Sequence, residues 1–351
     1  MKKSLLAVAV AAALPSLALA QTNVTLYGIA DAGMGWIDAG GNGTTTAKST
    51  FAVISGVQST SRWGVRGSED LGGGLSAVFN LEGGYKQDTG ASDASGTGLF
   101  QRRAVVGLSG KFGQFYLGRD YTPGFSALGK WDMLGYGLWG NALNFSVASA
   151  GGFGGSAIRW SNALQYISPS MSGFVVRAMY SAGEQQVDPK SRGNAFGISA
   201  AYDMGPISAA VFYENEKDNS APTVNTAKKM GIGGQYNFGQ FRVGGGYANT
   251  DPDGPTKLTY WNVGAGVKLG AGEVIVQVST LKESASDAKS NTVGVAYVHP
   301  LSKRTNLYAT YGTARNNKAS NFVLRGSDFS VGGAGADLDP KALAVGIRHQ
   351  F

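Results

Sequence analysis

The final ten residues alternate without a break. Leu343, Val345, Ile347, His349 and Phe351 fall on one face, and Ala342, Ala344, Gly346, Arg348 and Gln350 on the other. Side chains of a strand point to opposite sides at every second residue, so this segment is a strand with one apolar side. The same unit of about ten residues recurs along the chain, each time ended by Gly, Asp, Asn or Pro. Phe174, Val176, Ala178 and Tyr180 alternate with Val175, Arg177, Met179 and Ser181. Met230, Ile232, Tyr236 and Phe238 alternate with Lys229, Gln235 and Asn237, and Trp261, Val263, Val267 and Leu269 with Tyr260, Asn262 and Lys268. Sliding any of these strands by one residue exchanges its two sides, so the register is strongly specified.

The other end explains where such strands reside. Lys2 and Lys3 form a positive start, residues 5–14 are a short apolar run, and Ala18-Leu19-Ala20 is a small-x-small cleavage box. Residues 1–20 are expected to be an export signal, with the mature domain spanning 21–351. No other segment approaches the ~20 continuous apolar residues that a spanning helix needs. An exported chain of alternating strands implies an all-β fold: a sixteen-stranded antiparallel transmembrane β-barrel, apolar outside and polar within.

The predicted strands are 24–37, 60–68, 75–87, 100–109, 114–119, 158–168, 174–182, 193–203, 207–216, 228–238, 241–249, 258–269, 273–282, 291–299, 304–314 and 342–351. Short turns such as Glu69 to Gly74, Met204-Gly205-Pro206 and Gly270-Ala271-Gly272 alternate with longer polar loops at 38–59, 88–99, 183–192, 217–227 and 315–341. That asymmetry places both termini at the short-turn rim. Tyr166, Tyr180, Tyr202, Tyr236, Phe238, Tyr247 and Tyr297 near strand ends match aromatic girdles at the two membrane interfaces.

Composition removes several function classes. The net charge of +7 is carried by scattered basic residues, with no run that reads as a nucleic-acid patch. The absence of cysteine excludes thiolate metal sites and Cys nucleophiles. The two histidines, His299 and His349, have no partner in sequence for hydrolysis or for zinc. Asp251-Pro252-Asp253-Gly254 and Asp337-Leu338-Asp339-Pro340 lack EF-hand spacing and read as turns. The cluster Gly151-Gly152-Phe153-Gly154-Gly155 follows no strand into a helix and is not a nucleotide loop. No enzyme activity and no cofactor are expected.

Several stretches carry a family resemblance: Val24 to Gly28, Ser61-Arg62-Trp63-Gly64-Val65-Arg66-Gly67-Ser68-Glu69-Asp70-Leu71-Gly72, Arg103 to Leu108, Leu117-Gly118-Arg119, Asn162 to Tyr166, and Val345 to Phe351. In these the chain resembles the general porins of β-proteobacteria, the trimeric sixteen-stranded kind. The resemblance implies an outer-membrane homotrimer in contact with lipid and lipopolysaccharide. It also implies passive diffusion of small hydrophilic solutes and ions, and recognition of the strand ending at Phe351 by the assembly machinery.

The working part of such a channel is its narrowest ring. The longest loop, about 120–157, holds Tyr121, Phe125, Trp131, Tyr136, Trp139, Phe145 and Phe153 among many glycines. A solvated loop seldom carries so many large apolar groups. The resemblance implies that it folds into the barrel. Strand parity puts Arg62, Gly64 and Arg66 on one face with Trp63 and Val65 opposite, and groups Arg159, Ser161 and Gln165 against Trp160, Leu164 and Tyr166. Arg102 shares parity with Ala104 and Val106, and Arg103 with Val105. Arg62, Arg102 and Arg159 stand where the family carries its constriction arginines, with Asp120 and Asp132 as the acidic side of the ring. Asp31, Arg66, Glu82 and Arg177 are further pore-lining candidates. A basic wall facing a weakly acidic loop predicts a mild anion preference. The aromatic-rich loop supports an alternative, a solute-specific channel with a saturable binding site.

Overall fold

A computed structural model describes residues 23–41, 49–93, 98–148, 158–184, 193–218, 224–253, 256–332 and 335–351. The export signal expected at 1–20 and the glycine cluster at 151–155 lie outside the described residues. In chain order the elements are β1 (Asn23–Asp38), β2 (Thr50–Ser55), β3 (Arg62–Gly72), β4 (Leu75–Gly84), β5 (Arg103–Gly110), β6 (Gly113–Tyr121), α1 (Pro123–Leu128), α2 (Leu143–Ala148), β7 (Arg159–Ile167), β8 (Phe174–Ser181), β9 (Ala195–Met204), β10 (Ile207–Lys217), β11 (Thr226–Asn237), β12 (Phe241–Pro252), β13 (Leu258–Leu269), β14 (Gly272–Glu283), β15 (Lys289–Pro300), β16 (Thr305–Asn316), β17 (Leu324–Arg325), β18 (Ser330–Val331) and β19 (Lys341–Gln350).

Each barrel strand pairs antiparallel with its sequence neighbour, and β19 returns to β1 from Ile29↔Gln350 to Asp38↔Lys341. Phe351 completes the seam. Its N–H donates to the Gly28 carbonyl and its carbonyl accepts the Gly28 N–H, both at 3.1 Å. Closure leaves no unpaired edge in the hydrocarbon region, which is what a strand structure needs in order to cross a bilayer. Among the described residues no helix is long and apolar enough to span one.

The barrel has sixteen staves because β2 and β3 together make one. Both pair with β1: Ala32–Ile37 with β2, and Asn23–Ile29 with β3. Six residues, 56–61, stand where β1 advances by only two, so they are pushed off the wall into the lumen. Val57 and Ser61 are fully buried there. The expected loop at 38–59 therefore holds an extra wall segment, β2.

Burial follows the alternation. Ile232 is 62% exposed and its strand neighbour Lys229 2%. Leu343, Val345 and Ile347 are exposed on the outer face, whereas Ala342 and Ala344 are buried on the inner one. The short turns all lie at one rim. One of them, Gly72-Gly73-Gly74, has three successive positive φ values, which only glycine adopts without strain. At the same rim Phe112, Phe115 and Tyr166 pack ring on ring, as do Tyr236, Phe238 and Phe241.

The core lies inside the cylinder. One cluster joins Ile54 and Val57 to Met133, Leu134, Leu138 and Trp139 of the long loop, to Leu324 and Val331 of β17 and β18, and to wall residues from Ile275 to Ala344. A second packs Leu128, Trp131 and Phe145 against Phe212, Leu258, Tyr260 and Leu281. The segment 315–341, expected as an outer polar loop, instead sends the β17–β18 hairpin inward against Trp139.

Candidate pore constriction

The long loop enters the barrel because β6 runs directly into a helix start. Thr122 caps α1: its hydroxyl accepts the Phe125 N–H at 3.1 Å, and Pro123 occupies the first turn, where no N–H is needed. Glu214, on the inner face of β10, accepts the Gly124 N–H at 2.6 Å. Past α1 the chain crosses the lumen, and large side chains sink into wall positions that carry only hydrogen. A Cβ at Gly233 or Gly246 would overlap the indole of Trp131. One at Gly264 would lie 2.8 Å from Met133 Cγ, and one at Gly312 2.5 Å from Trp139 Cβ. The high glycine content thus serves the wall as well as the turns.

Asp132 holds the loop's fold. Its Oδ1 accepts Gln277 Nε2 at 2.9 Å and the Leu134 N–H at 3.3 Å, and its Oδ2 accepts the Tyr136 and Ala142 N–H groups at 2.7 and 3.1 Å. The carboxyl is buried, and burial pushes its pKa up against the donors that pull it down. Every acceptor position faces protein. This corrects the expectation of Asp132 as an acidic group presented to solutes.

The long loop, the β17–β18 hairpin and residues 56–61 leave a cavity of about 380 Å³ against the β3–β7 side of the barrel. Arg62, Arg102 and Arg159 border it, with Lys86, Tyr121, Phe125, Tyr136, Asp93 and Asp328. The phenol oxygen of Tyr121 accepts from Arg102 Nη2 at 2.7 Å and from Arg159 Nη2 at 2.8 Å. Glu82 lies behind, 2.8 Å from Arg102 Nε and 3.8 Å from Arg62 Nη1. It also accepts the Tyr27 hydroxyl at 3.1 Å. The Arg159 guanidinium stands 4.3 Å from the Tyr121 ring centre. Tyr121 stacks on Phe125 at 5.1 Å, and Phe125 on Tyr136 at 4.2 Å. Three guanidiniums and a column of three rings thus converge on one opening.

The remaining expected residues are placed differently. Arg102 precedes β5 and reaches the lumen through a loop bend. On the strand itself Val106 and Leu108 are exposed outward and Val105 is buried, so parity turns Arg103 inward. Arg103 Nη2 meets Asp120 Oδ2 at 2.9 Å. Asp120 belongs to β6 rather than to the loop, and it is buried. Asp31 points inward but is covered by residues 56–61. Its carboxylate accepts the Tyr308 hydroxyl and the Ser59 N–H, both at 2.8 Å. Arg66 lies over the Tyr27 ring and Arg177 is half-buried on β8, both on the short-turn side of the cavity. Trp160, expected on the lipid side, is buried and donates its indole N–H to Glu216 at 2.8 Å. A register shift between Gly118 and Asp120, with Asn162 at a φ of 53°, inverts parity there. Asp93 and Asp328 escaped sequence reasoning because they lie in loops, where parity says nothing; Lys86 fell at the end of the expected strand 75–87, at the parity of Glu82, but β4 stops at Gly84 and leaves it in the loop beyond.

Residues 7–319 match the family model described as Gram-negative porin. The chain is 36% identical to outer membrane porin protein 32 of Delftia acidovorans, with both chains covered in full. The chain belongs to the Gram-negative porin family. An outer-membrane porin of Bordetella pertussis is 34% identical, again over all of both chains. Among solved structures, an anion-selective porin from Comamonas acidovorans superposes with a TM-score of 0.84 at 33% identity, covering 94% of this chain and 100% of that one. OmpT of Vibrio cholerae, in a trimer form, shares the fold at a TM-score of 0.67 and 16% identity, over 94% of this chain and 99% of that one. This porin is therefore an outer-membrane channel for passive diffusion of small hydrophilic solutes.

Proposed function

We propose that this porin works as a homotrimer whose channels prefer anions, with Arg62, Arg102 and Arg159 forming the selective wall. The observation that carries the reading is the convergence of these guanidiniums on one narrow cavity, with Glu82 tied up behind them. A basic wall raises local anion concentration and disfavours cations. It also orients dipolar solutes and penalises apolar ones that must displace ordered water. Asp120 supports the wall by holding Arg103, and Arg66 and Arg177 extend the basic track. The residues flanking the export box imply processing after Ala20, and the Phe351 seam is the feature offered to the assembly machinery.

A planar-bilayer recording tests the reading. Expected are closing steps in threes and a reversal potential of anionic sign in a salt gradient. The preference should fade at 1 M salt, where the screening length falls to about 3 Å. Replacing all three arginines by alanine should abolish the preference. A cationic reversal potential in the unaltered protein would refute it. The ring column favours a second reading, a binding site for planar solutes, which saturable block of conductance by an aromatic carboxylate would support.

A further inference from the structure

We infer that Asp328 sets how strongly this channel prefers anions and makes that preference depend on pH. The inference rests on the anion-preferring reading above and extends it to a residue on a different loop. Asp328 sits in the turn between β17 and β18, and its N–H donates to the Gly56 carbonyl at 3.0 Å. Its side chain borders the same cavity as the three arginines. Oδ2 accepts the Ser61 N–H at 3.3 Å.

The charged groups packed around it are otherwise committed. Lys86, from the loop after β4, pairs with Asp93 at 2.7 Å and gives Asp328 only a bond to its backbone carbonyl, at 3.2 Å. Glu82, from β4, is paired with Arg102. Asp31, from β1, is sealed behind residues 56–61. Arg348, from β19, donates to Ser59 Oγ at 2.7 Å. Among the described residues, Asp328 is the carboxylate bordering the cavity that has no lysine or arginine nitrogen within 4.0 Å.

Such a carboxylate is poorly compensated. Burial pushes its pKa up to about 6, with the Thr60 hydroxyl and Lys86 pulling the other way and Asp93 adding to the rise. It is charged above that pH and neutral below. Four cationic side chains (Arg62, Lys86, Arg102 and Arg159) border the opening against two carboxylates there, Asp93 and Asp328, and a third, Glu82, behind Arg102. One net positive charge is left when all are ionised, and two when Asp328 is neutral. One unit charge about 7 Å from the ion path weights anions and cations in opposite directions. With screening at 0.1 M salt, the anion-to-cation permeability ratio changes by about threefold.

The test is a set of reversal potentials for the full channel in phosphatidylcholine bilayers, whose headgroups carry no net charge, under a KCl gradient of 0.01 to 0.1 M and from pH 8 to pH 5. In the unaltered protein the anion-to-cation ratio should rise about threefold on acidification, with a midpoint near pH 6. Asp328→Asn and Asp328→Ser should show the acid value at every pH, and Asp328→Glu should remain pH-dependent. Heat-modifiable gel migration identifies the folded variants. A flat profile in the unaltered protein overturns the inference, as does an unchanged midpoint in Asp328→Asn or flattening by Asp31→Asn instead. A cationic potential at pH 8 would refute the anion reading and leave the pH shift separately measurable.

Discussion

Replacing Gly294 by alanine tests whether the wall sets the position of the long loop. Gly294 lies on the inner face of β15, and a Cβ there would overlap the carbonyl oxygen of Trp139 and stand 2.6 Å from Leu134 Cδ1. The first neighbour is backbone, so no rotamer change relieves it. Ordinary contact requires the loop to retreat by about 1 Å, at an overpacking cost of about 1–3 kcal/mol. The retreat also strains two bonds near their limit, Trp139 N–H to Thr310 at 3.3 Å and Gln277 Nε2 to the Gly140 carbonyl at 3.2 Å. These add about 1 kcal/mol each. Moving away from the wall carries the loop into the lumen, where Gly135, Tyr136 and Leu143 border the opening. A sphere of about 380 Å³ is about 9 Å across. Losing about 1 Å of that lowers the cross-section by roughly a fifth. Single-channel conductance should fall by that fraction, with more flicker and an intact heat-modifiable barrel. Gly272→Ala is the control, because there the three atoms nearest the new methyl all belong to the Tyr297 side chain and none to the long loop. Conductance unchanged in Gly294→Ala, or reduced equally in the control, would refute the seating of the loop on the wall.

Three other outcomes follow from the same contacts. Asp132→Asn should leave ion selectivity unchanged while making the current noisier, because it replaces one of the two oxygens, each of which accepts two of the four hydrogen bonds, at a cost of about 1–3 kcal/mol; a shift in reversal potential would restore Asp132 to the ring. Ile232→Lys, on the lipid face, should lower refolding stability in liposomes by about 2–4 kcal/mol if it lies at mid-bilayer; unchanged denaturant midpoints would place that face away from lipid. Deleting Phe351 removes both bonds to Gly28 and the ring that covers it, and should reduce the yield of folded band on gels.

Parity made the barrel legible. Wherever a strand runs uninterrupted from turn to loop, as in β8, β11, β13 and β19, the exposed residues are the ones the alternation put outside. It failed where the backbone breaks its period of two. The six-residue excursion at 56–61 hid β2, the bulge at Asn162 inverted Trp160, and the bend before β5 brought Arg102 inward beside Arg103. The inward turn of 315–341 had a signal in Phe322, Val323, Leu324, Phe329 and Val331, a greasy set within a polar stretch. Loop charges such as Asp328 carried none, since their partners are distant in sequence and only the folded chain brings them to the opening.

The hydrogen-only positions that receive Trp131, Met133 and Trp139 bear on how relatives of this protein diverge. Bore is written in the cylinder as much as in the plug. A single methyl gained at one of these positions resets the calibre, so permeability can drift through the scaffold while the plug's own residues stay the same.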